Sequence, residues 1–101
     1  MATLPKKLYI GTPGTASATL YTTPANTNTI LKNIVLTNTT ATAAVVTIGV
    51  AGKNIVSGYT VQPNDTVVID LSLVLNATEN ITGVQTTASA VNVFLSGVEV
   101  A

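Results

Sequence analysis

The chain has 101 residues, 47% of them hydrophobic but only 8% charged, against about 25% charged in an average soluble domain. Four lysines balance four carboxylates, with no arginine, histidine or cysteine. That composition argues against a basic stripe for nucleic acid, excludes a thiol nucleophile or thiolate ligand, and leaves no side chain whose ordinary titration lies near neutrality.

In chain order, the opening places Lys6 and Lys7 before an apolar run of only Leu8, Tyr9 and Ile10. This run is too short for a signal peptide, and no later run approaches a membrane span, so synthesis in a cytoplasm without export is expected. Residues 1–6 read as an N-terminal arm and Lys7 to Ile10 as the first strand. Turn residues Gly11-Thr12-Pro13-Gly14 and Thr23-Pro24-Ala25-Asn26 bracket a strand at Ala18 to Thr22, and a longer one follows at Thr29 to Asn38. The warrant is local: Val, Ile and Thr suit the pleat, while Pro, Gly and Asn suit reversal. Asn38 to Ala43 is polar and small, with no breaker, and reads as an outward-projecting hairpin tip. Strands at Ala44 to Ala51 and Asn54 to Val61 are separated by the Gly52-Lys53-Asn54 turn. Gln62-Pro63-Asn64-Asp65 puts Pro and Asn at the second and third positions of a type I turn.

The strand from Thr66 to Leu75 alternates most regularly. Val67, Ile69, Leu71, Leu73 and Leu75 share one face, which is assigned to the core, and Val68, Asp70, Ser72 and Val74 share the other. Because Leu73, Val74 and Leu75 are apolar without interruption, the far end of this strand is expected to be covered on both faces. After the loop Asn76 to Asn80, strands are predicted at Ile81 to Thr87 and Val91 to Val100. In the last one Val91, Val93 and Leu95 face one way, whereas Val98 and Val100 fall in the opposite phase. A β-bulge at Gly97 reconciles them, as does a strand end covered on both sides. Eight short strands give the expected fold: all-β, one antiparallel β-sandwich spanning residues 1–101, jelly-roll-like or Ig-like. The low charge, with Thr, Asn and Ser in its place, describes a surface that neighbouring chains cover without stranding unpaired charge. Leu73, Val74, Leu75, Val98 and Val100 are the candidate protein-interface residues.

Candidate chemistry is sparse. Asp65, Asp70, Glu79 and Glu99 show no paired spacing and read as four solvated surface acids, and the Ser and Thr hydroxyls have no Gly-x-Ser-x-Gly elbow and no base to activate them. No enzyme activity, cofactor or metal is therefore expected. Asn64, Asp65 and Glu79 offer hard oxygens, but not in the series of a calcium loop. Asn-x-Thr sequons start at Asn38, Asn64, Asn76 and Asn80, as a chain rich in both residues produces by chance. Tyr9, Tyr21 and Tyr59 are the residues on which a carbohydrate-binding module would have to rely.

The segments Leu20-Tyr21-Thr22-Thr23-Pro24-Ala25-Asn26-Thr27 and Ile30-Leu31-Lys32-Asn33-Ile34-Val35-Leu36-Thr37-Asn38 resemble a family of small virion structural proteins of tailed bacteriophages, as do Asp65 to Leu71, Val74 to Ala77 and Ala90 to Glu99. The resemblance implies a β-sandwich or jelly-roll module on the phage head, neck or tail, and carries over no catalytic or cofactor residue. On this basis the expected function is that of a capsid decoration or cement subunit, made in the bacterial cytoplasm and incorporated in the virion. Its expected partners are other copies of itself, as in a trimer, and the major capsid or tail proteins, with no nucleic acid and no membrane. The alternatives are a tail, neck, baseplate or fibre-associated subunit and a carbohydrate-binding module.

Overall fold

The computed structural model describes residues 3–101. They form eight strands and no helix: β1 Thr3–Gly11, β2 Ala18–Thr22, β3 Asn28–Asn38, β4 Ala44–Val50, β5 Lys53–Val61, β6 Thr66–Leu75, β7 Asn80–Gln85 and β8 Val91–Val100. Two four-stranded antiparallel sheets result, ordered β1-β8-β3-β6 (sheet A) and β2-β7-β4-β5 (sheet B). Successive strands alternate between the sheets except at β4–β5, the one within-sheet connection among the described residues. This order is that of a jelly roll, which resolves the two sandwich types left open by the sequence.

The sheets meet through one face each. From sheet A, Leu31, Ile34 and Leu36 of β3, Leu75 of β6 and Val91, Val93 and Leu95 of β8 are fully buried; from sheet B, Val46 and Ile48 of β4, Val61 of β5 and Ile81 of β7 complete the core. The alternation predicted for β6 is present, with Val67, Ile69, Leu71 and Leu73 packed against that core. The β4–β5 hairpin closes through Ala51 and Gly52, both at positive φ (51° and 83°), the signature of the two-residue turn whose twist suits a hairpin.

Several expectations change. Thr3 to Lys6 are not a free arm: they belong to β1, in register with Val100 to Gly97, while Met1 and Ala2 lie outside the described residues. Asn38 to Ala43 is not a hairpin tip, because β3 and β4 belong to different sheets. Asn38 is buried and organises the crossing, donating from Nδ2 to the carbonyls of Thr42 (2.8 Å) and Val61 (3.0 Å) and accepting at Oδ1 from Thr40 N (2.9 Å). The Gln62–Asp65 turn is closed by Asp65 N donating to Gln62 O at 3.2 Å, but Asn64 sits at φ 54°, which fits a type II turn and not type I.

Gly97 is not a bulge residue. β8 alternates without a break, and the register shifts lie in its neighbours, at Lys7/Tyr9 of β1 and Leu31/Asn33 of β3. Gly97 faces inward, where a Cβ would run into the carbonyl oxygen of Ile30. Val98 and Val100 fall out of phase because the inward positions of the last turn of the pleat are taken by Gly97 and Glu99.

Glu99 in turn is no solvated acid. It is 9% exposed at one end of the interior, accepting the Tyr21 hydroxyl and, at 3.2 Å, the Lys6 ammonium; the Tyr21 and Thr29 hydroxyls are 3.0 Å apart. The hydrogen bond from Tyr21, against the opposing effect of burial and with the help of Lys6, holds the Glu99 carboxyl below the usual carboxylate range. Burial first, and then the bond to Glu99, push the Tyr21 hydroxyl up to about 12. At the other end Gln85 is the staple: it donates from Nε2 to the carbonyls of Pro13 and Val91, and its Oε1 accepts from Val91 N at 2.8 Å.

Candidate functional site

The outward positions of sheet A form rows across all four strands. Ile10, Phe94, Val35 and Val68 are successive cross-strand partners on β1, β8, β3 and β6. Pro5, Val98, Ile30 and Val74 form a second such row. Both are apolar throughout, and Ile10, Val68 and Val74 stand 58–63% exposed. Side chains on one face of adjacent strands lie close enough to act as continuous stripes.

Between the stripes runs a polar row of Lys7, Ser96, Asn33 and Asp70. Asn33 Nδ2 donates to Asp70 Oδ1 at 2.9 Å, which fixes the carboxylate at the β6 edge, while Lys7 stands at the opposite, β1 edge. The bulges in β1 and β3 flank β8 at this level and open a shallow groove of about 470 Å³. Lys6, Lys7, Lys32, Phe94 and Ser96 are among its lining residues, so three of the four lysines of the chain meet there, and no acid among the described residues lines it. Lys32 leans toward β6, donating to Ser72 Oγ at 3.0 Å. A smaller depression of about 230 Å³ lies along the first stripe, between Ile10, Val35 and Phe94.

The outer face of sheet B is different in kind. Its cross-strand positions read Thr19, Thr82, Gly49 and Asn54 in one row, and Thr47 opposite Val84 and Val45 opposite Thr60 in the next two. Thr47 Oγ1 is occupied locally by Gly58 N at 3.0 Å. Hydroxyls and valines alternate across these rows of sheet B, where sheet A carries two rows that are apolar throughout.

Of the residues singled out from sequence, Val74, Val98 and Val100 lie on the outer face of sheet A, with Val74 and Val98 joined through Ile30. Leu73 and Leu75 point inward, Leu75 being fully buried. Ile10, Ile30, Val35 and Phe94 were missed as surface residues, and Val68, read from the alternation as facing away from the core, was not among the interface candidates. Alternation within each strand marks them as outward, but only the strand order joins them into rows.

The three tyrosines do not converge on a surface: Tyr9 and Tyr21 pack against the core, and Tyr59 lies on β5 of sheet B. Asp65 Oδ1 accepts from Thr66 N at 2.9 Å and Glu79 Oε1 from Asn76 N at 2.7 Å, at opposite ends of β6. Among the described residues no three acidic, histidine or cysteine side chains are grouped to hold a metal ion.

No family model matches the chain, and no curated relative matches it. Among solved structures it is similar to Drosophila NLP-core, whose crystal structure bears on pentamer formation and histone binding, with 13% identity, a TM-score of 0.56, and coverage of 95% of this chain and 100% of the other. A likeness at that identity concerns the fold. A second similarity is to the Bacillus endospore appendages, a family of disulfide-linked pili, with 14% identity, a TM-score of 0.39, and coverage of 96% of this chain and 86% of the other.

Proposed function

We propose that this chain is a non-enzymatic structural subunit of a tailed-bacteriophage particle, in the first place a capsid decoration or cement protein, which works by burying the outer face of sheet A against neighbouring chains. The observation that carries the reading is the pair of apolar rows across that face, set against the mixed rows of hydroxyls and valines on sheet B. Contiguous exposed apolar surface on a small domain marks an interaction site. The NLP-core, described in terms of pentamer formation, is an instance of a similar fold in a protein that assembles. The phage address comes from the sequence resemblance.

The deciding experiment is the stoichiometry of the chain in purified particles of the encoding phage, by quantitative mass spectrometry against the major capsid protein. A ratio near one supports a decorating subunit. A ratio of a few per cent moves the protein to the neck, tail, baseplate or fibres, and absence from particles overturns the virion assignment.

A further inference from the structure

We infer that the outer face of sheet A receives the same face of a second copy of this chain, across a two-fold axis running along the strands between β8 and β3. The inference rests on reading the chain as a packing subunit and identifies what packs on it.

Such an axis exchanges β1 with β6 and β8 with β3 while leaving each row at its own level. In the first stripe Ile10 then meets the partner subunit's Val68, and Phe94 meets the partner subunit's Val35. In the second, Pro5 meets the partner subunit's Val74, and Val98 meets the partner subunit's Ile30. In the polar row between them Lys7 meets the partner subunit's Asp70, and Ser96 meets the partner subunit's Asn33. Every apolar position in the two stripes lies on an apolar one, and the two charges at opposite edges of the polar row lie on their opposites; Lys32, on β3 beside the axis, is turned toward Ser72 of its own β6.

Charge selects this axis. A two-fold in the same plane but across the strands would set Lys7 on Lys7 and Asp70 on Asp70, and like charges brought together at an interface are costly. The groove makes the same point. Of its lysines, Lys6 is held by Glu99, which leaves Lys7 and Lys32 without an acid of this chain among the described residues, while Asp65 and Glu79 are held by backbone N–H groups. The proposed axis brings the partner subunit's Asp70 over that groove.

Size is adequate too. Four strands about 4.8 Å apart and roughly nine residues long at about 3.4 Å each give a face of about 600 Å² in projection. A standard interface takes about 800 Å² of accessible surface per partner, and a corrugated face exceeds its projection. Sheets pack face to face at about 30° when each is twisted, so the rows cross at a shallow angle and stay in contact at their centres. A patch complementary to itself generates a closed two-fold contact, not the head-to-tail contact of a trimer.

The test uses the full chain in sedimentation equilibrium, as wild type, Lys7→Glu, Asp70→Lys, the double exchange Lys7→Glu/Asp70→Lys, and Lys53→Glu as a control on β5. All three sites are exposed, and far-UV circular dichroism verifies the fold of each variant. The expected result is a monomer–dimer equilibrium for wild type, its dissociation constant raised at least about tenfold by either single reversal, restored to near wild type by the double exchange, and unaffected at Lys53. A chain that stays monomeric, an oligomer other than a dimer, or a dimer indifferent to the reversals would each overturn the inference. The particle measurement is independent: a monomer in solution that is abundant in virions sinks the self-contact alone, and a dimer absent from virions sinks the phage assignment alone.

Discussion

Replacing Glu99 by glutamine keeps the shape of the side chain and one acceptor for the Tyr21 hydroxyl but removes the charge. A hydrogen bond to a charged group contributes about 1.5–3 kcal/mol, and breaking a fully buried ion pair costs about 3–5 kcal/mol. Lys6 keeps 49% of its side chain in solvent, so its ammonium remains hydrated when its partner is lost, and the pair itself falls toward the range of exposed pairs, about 0.2–1 kcal/mol. The expected loss at neutral pH is about 2 kcal/mol, with a fall in melting temperature of about 8–16 °C for a domain of this size. The pH dependence has a definite sign. Because the folded state depresses the Glu99 pKa, the stabilisation is complete above the ordinary carboxylate value of about 4.3 and fades as pH falls through the folded value. The gap between wild type and Glu99→Gln is therefore widest at neutral pH and narrows in acid. Urea unfolding followed by circular dichroism at neutral pH and at about pH 3 measures both points. A gap that is equal or wider in acid, or smaller than about 0.5 kcal/mol at neutral pH, would refute the reasoning.

Tyr21→Phe tests the other limb: with the Tyr21 pKa raised to about 12, its contribution is present below about pH 10 and lost as pH rises toward 12, so alkaline titration of stability should lose that component in the variant. Gly97→Ala forces a methyl group against the Ile30 carbonyl and should cost at least about 3 kcal/mol, read as a lower urea midpoint; a neutral result would mean the β3 bulge yields freely. Gln85→Ala removes the side chain that holds Pro13 and Val91 and should cost about 2–3 kcal/mol, with faster hydrogen exchange at the Val91 amide. Thr23 has a buried hydroxyl with no partner, so Thr23→Val should be neutral or stabilising by up to about 1 kcal/mol in thermal denaturation.

All eight strands were legible, three of them to the residue (β2, β6 and β8), because breakers punctuate a chain otherwise rich in Val, Ile and Thr. The inward face of β6 was legible for the same reason that any half-buried strand is: its period is two. The end of β8 was not, because the rule that inward positions are apolar fails at both Gly97 and Glu99. One faces a backbone too close for any side chain, and the other is an acid made acceptable by Tyr21 on the opposite sheet. Neither cause is local. The surface rows stayed hidden for a related reason: Phe94 and Val35 lie far apart in sequence, and only the pairing of β8 with β3 makes them neighbours.

The position of β8 bears on how the molecule comes into being. It is the last strand of the eight to be synthesised, yet it lies inside sheet A, hydrogen-bonded to β1 on one side and β3 on the other. Until Val100 has left the ribosome, sheet A has a gap at its middle, and half of the core has no floor. Folding of this sandwich therefore waits for β8, and most of its pairings join distant segments, which makes for slow closure. During that interval the facing edges of β1 and β3 lack their native partner, and the strand best able to fill the gap is a β8 from another chain. Among many copies made at once, exchange of this strand is the characteristic error to expect, and its product would be a linked pair in which each molecule completes the other.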